Sequence, residues 1–86
     1  MMQLLVSDKA YKDIEKFSSD LKKQIYNHFL KISQEDISRK HLHYGLPYFV
    51  EKIGYSCRII YDIQDNKIFI IRIFDDHKNY EKWYKK

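Results

Sequence analysis

Residues 57–74 read CRIIYDIQDNKIFIIRIF, and this stretch decides the fold of the chain. It contains two runs rich in β-branched and aromatic side chains, residues 57–63 and 67–74, and such runs are typical of β-strands. Between them lie Asp65 and Asn66, residue types that favour a two-residue hairpin loop. The pattern therefore predicts an antiparallel β-hairpin.

The hairpin loop also predicts a register. The pairs expected to lie opposite each other are Arg58 with Ile73, Ile60 with Ile71, and Asp62 with Phe69. Because successive side chains alternate between the two faces of a strand, Cys57 should lie on the face opposite to that of Arg58. A lone cysteine with apolar neighbours is usually packed in a core, and we expect this for Cys57.

Two helices and two further strands are predicted ahead of the hairpin. Residues 2–6 and 48–53 are strand-like, and a turn at residues 44–47 precedes the second of them. Between these two strands, apolar residues recur every three or four positions, as on one face of a helix. They are Ala10, Ile14, Phe17, Leu21, Ile25, Phe29 and Ile32. Polar residues at 18–20 favour a break into two helices, although the spacing alone also permits a single long helix.

These elements predict an α+β fold with one domain over residues 1–86. Helices over about 8–17 and 19–35, the first capped by Ser7 or Asp8, form a hairpin packed on a small, mainly antiparallel sheet. The tail after residue 75 has an acidic start and helical spacing, which predicts a short C-terminal helix. The sheet face away from the helical hairpin is expected to be a concave basic surface.

Composition narrows the functional classes. The chain has 86 residues, a net charge of +4 and 16% aromatic residues, a combination that favours nucleic-acid binding without establishing it. The positive excess lies mainly in residues 39–60, which hold four basic residues and one acidic residue. No apolar run approaches the roughly 18 residues that a membrane span needs. The one cysteine excludes an internal disulfide and a thiolate zinc site, and we expect a cytoplasmic protein without a signal peptide.

No Gly-rich phosphate loop, HExxH, CxxC or nucleophile elbow is present. The histidines His41, His43 and His77 match no standard metal-site spacing. Cleavage of RNA without a metal needs a base for the 2′-hydroxyl, a cation for the charge on phosphorus and an acid for the leaving 5′-oxygen. Arginine suits the second task, histidine suits the first or the third, and tyrosine can stack on a base or donate a proton. The candidates are Arg58, the basic segment around Lys40 and Lys52, and the tail residues His77, Lys78, Tyr80 and Tyr84.

In their order and spacing, residues 39–45, 57–63, 70–73 and 77–80 resemble the RelE/ParE superfamily of bacterial type II toxin–antitoxin modules. The resemblance covers essentially the whole chain and is nearest to the histidine-using YoeB and YafQ types. It implies a microbial RNase-like α+β fold and an endoribonuclease that cuts mRNA, usually on the ribosome, without a metal or other cofactor. It further implies a cognate antitoxin as partner, no membrane association, and operator DNA binding only through that antitoxin.

The resemblance also implies roles for particular residues. Arg58 and His77 take catalytic positions. The family's terminal tyrosine falls on Tyr84, and Tyr80 is the competing candidate that we take as the catalytic tyrosine. The residues expected to bind RNA are Lys40, His43, Lys52, Lys78 and Tyr84.

One departure from RelE is clear. Phe49 and Glu51 stand where RelE carries two lysines, so Glu51 could serve as a base, and Lys52 should point to the face opposite to these two.

Several alternatives stay open at this point. Arg58 could form a structural ion pair with Asp62 instead of binding phosphate. Trp83 is expected in the core, with either Tyr80 or Tyr84 exposed. The chain could also be a gyrase-inhibiting toxin of the ParE type without nuclease activity, or an inactive relic that acts as a binding module.

Overall fold

The computed structural model describes residues 2–34, 39–41 and 48–85. Its elements in chain order are β1 (Gln3–Val6), α1 (Asp8–Glu15), α2 (Ser19–Ile32), β2 (Lys40–His41), β3 (Phe49–Ile53), β4 (Cys57–Gln64), β5 (Lys67–Phe74) and α3 (His77–Tyr84). The strands form one sheet in the order β1-β5-β4-β3-β2, in which β1 runs parallel to β5 and the other pairs are antiparallel. The predicted α+β fold class is therefore confirmed. No helix in the described part of the chain is long and apolar enough to cross a membrane.

Side-chain caps mark where each helix begins. The hydroxyl of Ser7 accepts a hydrogen bond from the backbone N–H of Ala10, and the hydroxyl of Ser18 accepts one from that of Leu21. Ser18 has an extended backbone, so the apolar stripe belongs to two helices and not to one. Asp76 caps α3 in the same way, through a 2.7 Å hydrogen bond from the backbone N–H of Asn79.

The helical hairpin packs on one face of the sheet. The residues of the predicted apolar stripe are buried there or pack against the buried core, together with Ile59, Tyr61, Ile68 and Ile70 of the central strands. Cys57 belongs to the same core and is 3% exposed, which confirms the prediction for it. Burial of this apolar stripe is what orients α1 and α2, since each fully buried large side chain stabilises the fold by about 1.5–3 kcal/mol.

The hairpin loop forms as predicted, but the register changes along the strands. Asp65 and Asn66 both have positive φ angles, 52° and 62°, as a two-residue hairpin turn of this type requires. Asp62 lies opposite Phe69 as predicted.

The register shifts between Ile60 and Tyr61, where a β-bulge leaves Ile71 as the extra residue on β5. The predicted pairs of Arg58 with Ile73 and Ile60 with Ile71 were therefore wrong. Arg58 lies opposite Phe74, and Ile60 lies opposite Arg72.

Contacts from α1 hold this bulge in place. Strand β1 pairs with β5 only as far as Ile70, so the backbone of β5 beyond that point needs other partners. The Ser7 hydroxyl donates a 2.8 Å hydrogen bond to the Ile71 carbonyl. The Asp13 carboxylate, on a residue only 8% exposed, accepts two hydrogen bonds from the Arg72 guanidinium and one from the backbone N–H of Ile73.

The second face of the sheet carries an apolar cluster of its own. Its buried members are Val50, Ile60, Phe74 and Tyr80, with Tyr48, Ile71 and Trp83 packed against them. The expectation that this face is left as a concave basic surface was therefore wrong. The physical reason is the bulge, which turns Phe74 to this face, where the aromatic residues of α3 pack on it.

Replacement of Asp13 by alanine should destabilise the fold strongly. Asp13→Ala removes three hydrogen bonds and leaves a guanidinium and a backbone N–H without their partner, which should lower the free energy of unfolding by about 3 kcal/mol. Glu15→Ala, an exposed acid on the same helix, is the control and should change it by less than about 0.5 kcal/mol. Equilibrium unfolding in urea measures both, and equal values for the two variants would contradict the role given to Asp13.

Candidate functional site

Arg58, Tyr80 and His77 lie next to one another where the start of β4 meets α3. The guanidinium carbon of Arg58 lies 5.1 Å from the centre of the Tyr80 ring, within the range of a cation–π contact. The centre of that ring is in turn 5.8 Å from the centre of the His77 imidazole. The three residues that the resemblance gave catalytic positions are thus brought together by the fold.

Arg58 is buried, and no acidic partner for it lies among the described residues. Its side chain donates a 3.2 Å hydrogen bond to the Tyr55 carbonyl, and the residue is 7% exposed. The Asp62 carboxylate instead accepts hydrogen bonds from the Ile63 backbone and the Gln64 side chain, so the alternative of an Arg58–Asp62 ion pair was wrong. Among the described residues, no carboxylate lies within ion-pair distance of Arg58. A buried cation of this kind is costly, and a phosphate group would offset that cost.

His77 occupies the first position of α3, and its side chain is 54% exposed. Its Nε2 atom pairs with the Glu81 carboxylate one turn later in the helix. A 3.0 Å hydrogen bond from Lys85 to Glu81 lowers the pKa of that carboxyl, which keeps it ionised beside the imidazole. Glu81 was missed in the sequence, although its spacing of four residues from His77 on a predicted helix was the signal that could have found it.

Tyr80 is buried. It is 4% exposed, and its ring packs on Phe74 with 6.2 Å between ring centres. A ring enclosed in this way is not available for stacking on an RNA base. One of Tyr80 and Tyr84 was expected to be exposed, and Tyr80 is not the exposed one. The side chain of Tyr84 lies outside the described residues. Trp83 is half-buried, and its ring centre lies 6.0 Å from that of Phe74 and 5.7 Å from that of Tyr48.

The residues expected to bind RNA have mixed positions. Lys52 lies directly opposite Arg58 on the neighbouring strand, so it shares the face of Arg58, and it is exposed. Lys78 is exposed on α3 immediately after His77. The backbone of Lys40 pairs with β3, but its side chain lies outside the described residues, as does the whole of His43.

Phe49 and Glu51 face the helical hairpin. Phe49 stacks on Tyr61, and Glu51 lies opposite Ile59, so both are on the face away from Arg58. Glu51 Oε2 is 2.6 Å from His28 Nδ1 and 2.9 Å from Lys31 Nζ, both on α2. The expectation that Glu51 could act as the base beside Arg58 was therefore wrong, because strand alternation puts the sheet between them. Lys52 points to the opposite face, as predicted.

In residues 2–34, 39–41 and 48–85, no three His, Cys, Asp or Glu side chains come close enough together to hold a metal ion. Burial raises the pKa of the Cys57 thiol to about 11, which suppresses the thiolate that a nucleophile requires.

No protein-family model matches the chain, and no curated protein sequence matches it. It is similar to a chain of the toxin–antitoxin complex RelBE2 from Mycobacterium tuberculosis, with 20% identity over 86% of this chain and 96% of that chain and a TM-score of 0.75.

Two further structures extend the comparison. The isolated RelE toxin of E. coli is 18% identical over 99% of this chain and 97% of that chain, with a TM-score of 0.74. A chain of the YoeB–YefM complex from Staphylococcus aureus is 22% identical over 86% and 95%, with a TM-score of 0.70. At these identities the likeness shows the fold, and a fold by itself does not establish an activity.

The Cys57 thiol should be almost inert in the folded protein. A rise in the pKa from 9.0 to about 11 reduces the thiolate fraction at pH 8 about a hundredfold. We therefore expect iodoacetamide to modify native Cys57 at least about a hundredfold more slowly than the same protein unfolded in guanidinium chloride. The double variant Ser56→Cys, Cys57→Ser places a thiol at the exposed neighbouring position as a control. Equal rates for the two positions would contradict the burial of Cys57.

Proposed function

We propose that this chain, which has the fold of the RelE and YoeB toxins, is the toxin of a type II toxin–antitoxin module. Its proposed activity is the cleavage of mRNA on the ribosome, without a metal, in the cytoplasm. The observation that carries this proposal is the Arg58 guanidinium, buried without a carboxylate partner among the described residues and held against Tyr80 beside an exposed histidine.

Arg58 supplies what the reaction requires at phosphorus. When the 2′-hydroxyl oxygen attacks, negative charge builds up on the non-bridging phosphate oxygens. The guanidinium stays protonated at any working pH, and its planar donors match two such oxygens. Because it is already desolvated, its attraction for the developing charge is less screened than it would be in water.

His77 supplies a group for proton transfer. Its imidazole is exposed, so it can reach a bound strand, while Glu81 holds Nε2 and orients the ring. Nδ1 is then the atom that takes a proton from the 2′-hydroxyl or gives one to the leaving 5′-oxygen. The second transfer needs another group, and His41 and His43 are the two candidates from the sequence. Lys52 and Lys78, both exposed near these residues in the fold, would bind the RNA backbone.

The partners follow from the same proposal. The RelBE2 structure and the intact RelBE structure of E. coli are toxin–antitoxin complexes, which supports a cognate antitoxin for this chain as well. Such an antitoxin would block the face of Arg58 and His77 from RNA. Contact with operator DNA would come only through it.

Loss of Arg58 or His77 should abolish toxicity. Arg58→Gln and His77→Gln should each lower the rate of mRNA cleavage on translating ribosomes by about 10²–10³-fold, because each removes a group that acts in the transition state. Arg58→Lys keeps the charge but not the planar fork, so its cleavage rate should lie between the rate of the two glutamine variants and that of the unsubstituted protein. Lys67→Gln, exposed at the far end of β5, is the control and should cleave normally.

A parallel assay distinguishes the alternatives. The protein should not affect the supercoiling of DNA by gyrase. Cells that express the protein without an antitoxin should stop growing. Cleavage that persists in a folded Arg58→Gln, His77→Gln double variant would refute the nuclease assignment. Inhibition of gyrase without any mRNA cleavage would favour the ParE-type activity. If cells that express the protein without an antitoxin grow normally, this would favour an inactive binding module.

Tyr80 should act by positioning Arg58. Tyr80→Leu removes the ring under the guanidinium and should lower kcat about tenfold with little change in KM, since a desolvated cation–π contact contributes about 1–2 kcal/mol. Tyr80→Phe keeps the ring and should retain most of the activity. Single-turnover cleavage measures both variants. An equal loss in the two would show instead that the hydroxyl takes part in the chemistry.

A further inference from the structure

A cavity of about 390 Å³ lies between the end of α1 and α3, beside the last residues of β5. It is within the roughly 300–1,000 Å³ of typical small-molecule sites. Its wall includes Lys16, Phe17, Arg72, Asn79, Lys82 and Trp83. The proposed chemistry uses none of these residues.

The charges around the cavity favour an anion. The Asp13 carboxylate is bound to Arg72 by two hydrogen bonds, so these two charges neutralise each other. Lys16 and Lys82 are exposed, and neither forms an ion pair with any described residue. Asp75, also on the wall, is the one opposing charge that remains, which leaves the cavity with a positive excess.

The cavity also offers flat surfaces. Trp83 is half-buried with its ring centre 6.0 Å from that of Phe74. The Arg72 guanidinium lies over the Phe74 ring, 4.8 Å from its centre, and Asp13 fixes its orientation. A tryptophan ring and a planar guanidinium are groups on which nucleic-acid bases stack. Cationic and flat groups in one cavity are the combination that a nucleotide requires.

The cavity adjoins the proposed catalytic residues. Phe74 lies directly opposite Arg58 in the sheet and forms part of the cavity wall. Trp83 follows Tyr80 by three residues, so it lies about one helical turn further along α3.

We propose that this cavity binds one nucleotide of the single-stranded RNA substrate. Its phosphate lies between Lys16 and Lys82, and its base lies against Trp83 and the Arg72 guanidinium. The proposal rests on the proposed function and names a second point at which the substrate is held, away from the cleaved bond.

Nucleotide titrations followed by NMR test this directly. Adding 5′-AMP or 5′-UMP to the full chain should shift the indole N–H signal of Trp83. Adenosine and inorganic phosphate, each tested alone, should bind more weakly than the nucleotide because each provides only half of the contacts. The double variant Lys16→Gln, Lys82→Gln should weaken nucleotide binding about tenfold. The single variant Asp75→Asn should strengthen nucleotide binding about threefold. Lys9→Gln, Lys23→Gln, exposed lysines away from the cavity, should leave binding unchanged.

The outcomes separate this inference from the nuclease assignment. Arg58→Gln should abolish cleavage and keep 5′-AMP binding at Trp83. Binding by a protein that cuts no mRNA would refute only the nuclease assignment. The cavity proposal would be overturned if the protein cleaved mRNA but nucleotides caused no shift of the Trp83 signal. It would also be overturned if the shift were equal in the Lys16→Gln, Lys82→Gln double variant and in the Lys9→Gln, Lys23→Gln control. A Trp83 shift with an acidic peptide but not with nucleotides would also overturn it.

Discussion

The Asp13 carboxylate determines how the second half of β5 is arranged. It reaches from α1 to the strand just beyond the end of β1, where it binds the Arg72 guanidinium and the backbone N–H of Ile73. These contacts stabilise the β-bulge, and the bulge turns Phe74 to the face of Arg58. Without that change of register, Ile73 and not Phe74 would lie opposite Arg58, and the contacts of Tyr80 and Trp83 with the Phe74 ring would be lost.

The two faces of the sheet consequently have different uses. The face under α1 and α2 is a closed apolar core, and it takes in Phe49 as well as the Glu51 that pairs with α2. On the other face, the described residues form a smaller apolar cluster beside the short helix α3. A buried arginine can remain reachable from solvent at the border of such a cluster, with an exposed histidine next to it.

Many features of the fold could be predicted because they are local. The apolar spacing of the helices, the serine caps and the Asp65–Asn66 turn all depend on residues close together in the sequence. The site was less predictable. Arg58 and His77 were found through a resemblance, whereas the burial of Tyr80, the pairing of Glu81 and the cavity beside Trp83 depend on how α3 sits on the sheet.

The sequence by itself determined the elements other than the two-residue strand β2, their order and the face of β4 on which Arg58 lies, because helix and strand periodicities act over a few residues. Only the tertiary structure decided what lies opposite Arg58. That depends on a contact between Asp13 and β5 residues about sixty positions away, which no local pattern contains. The same contact places the ring of Phe74 between the buried arginine and the α1–α3 cavity, so the second candidate binding position also became visible only in the fold.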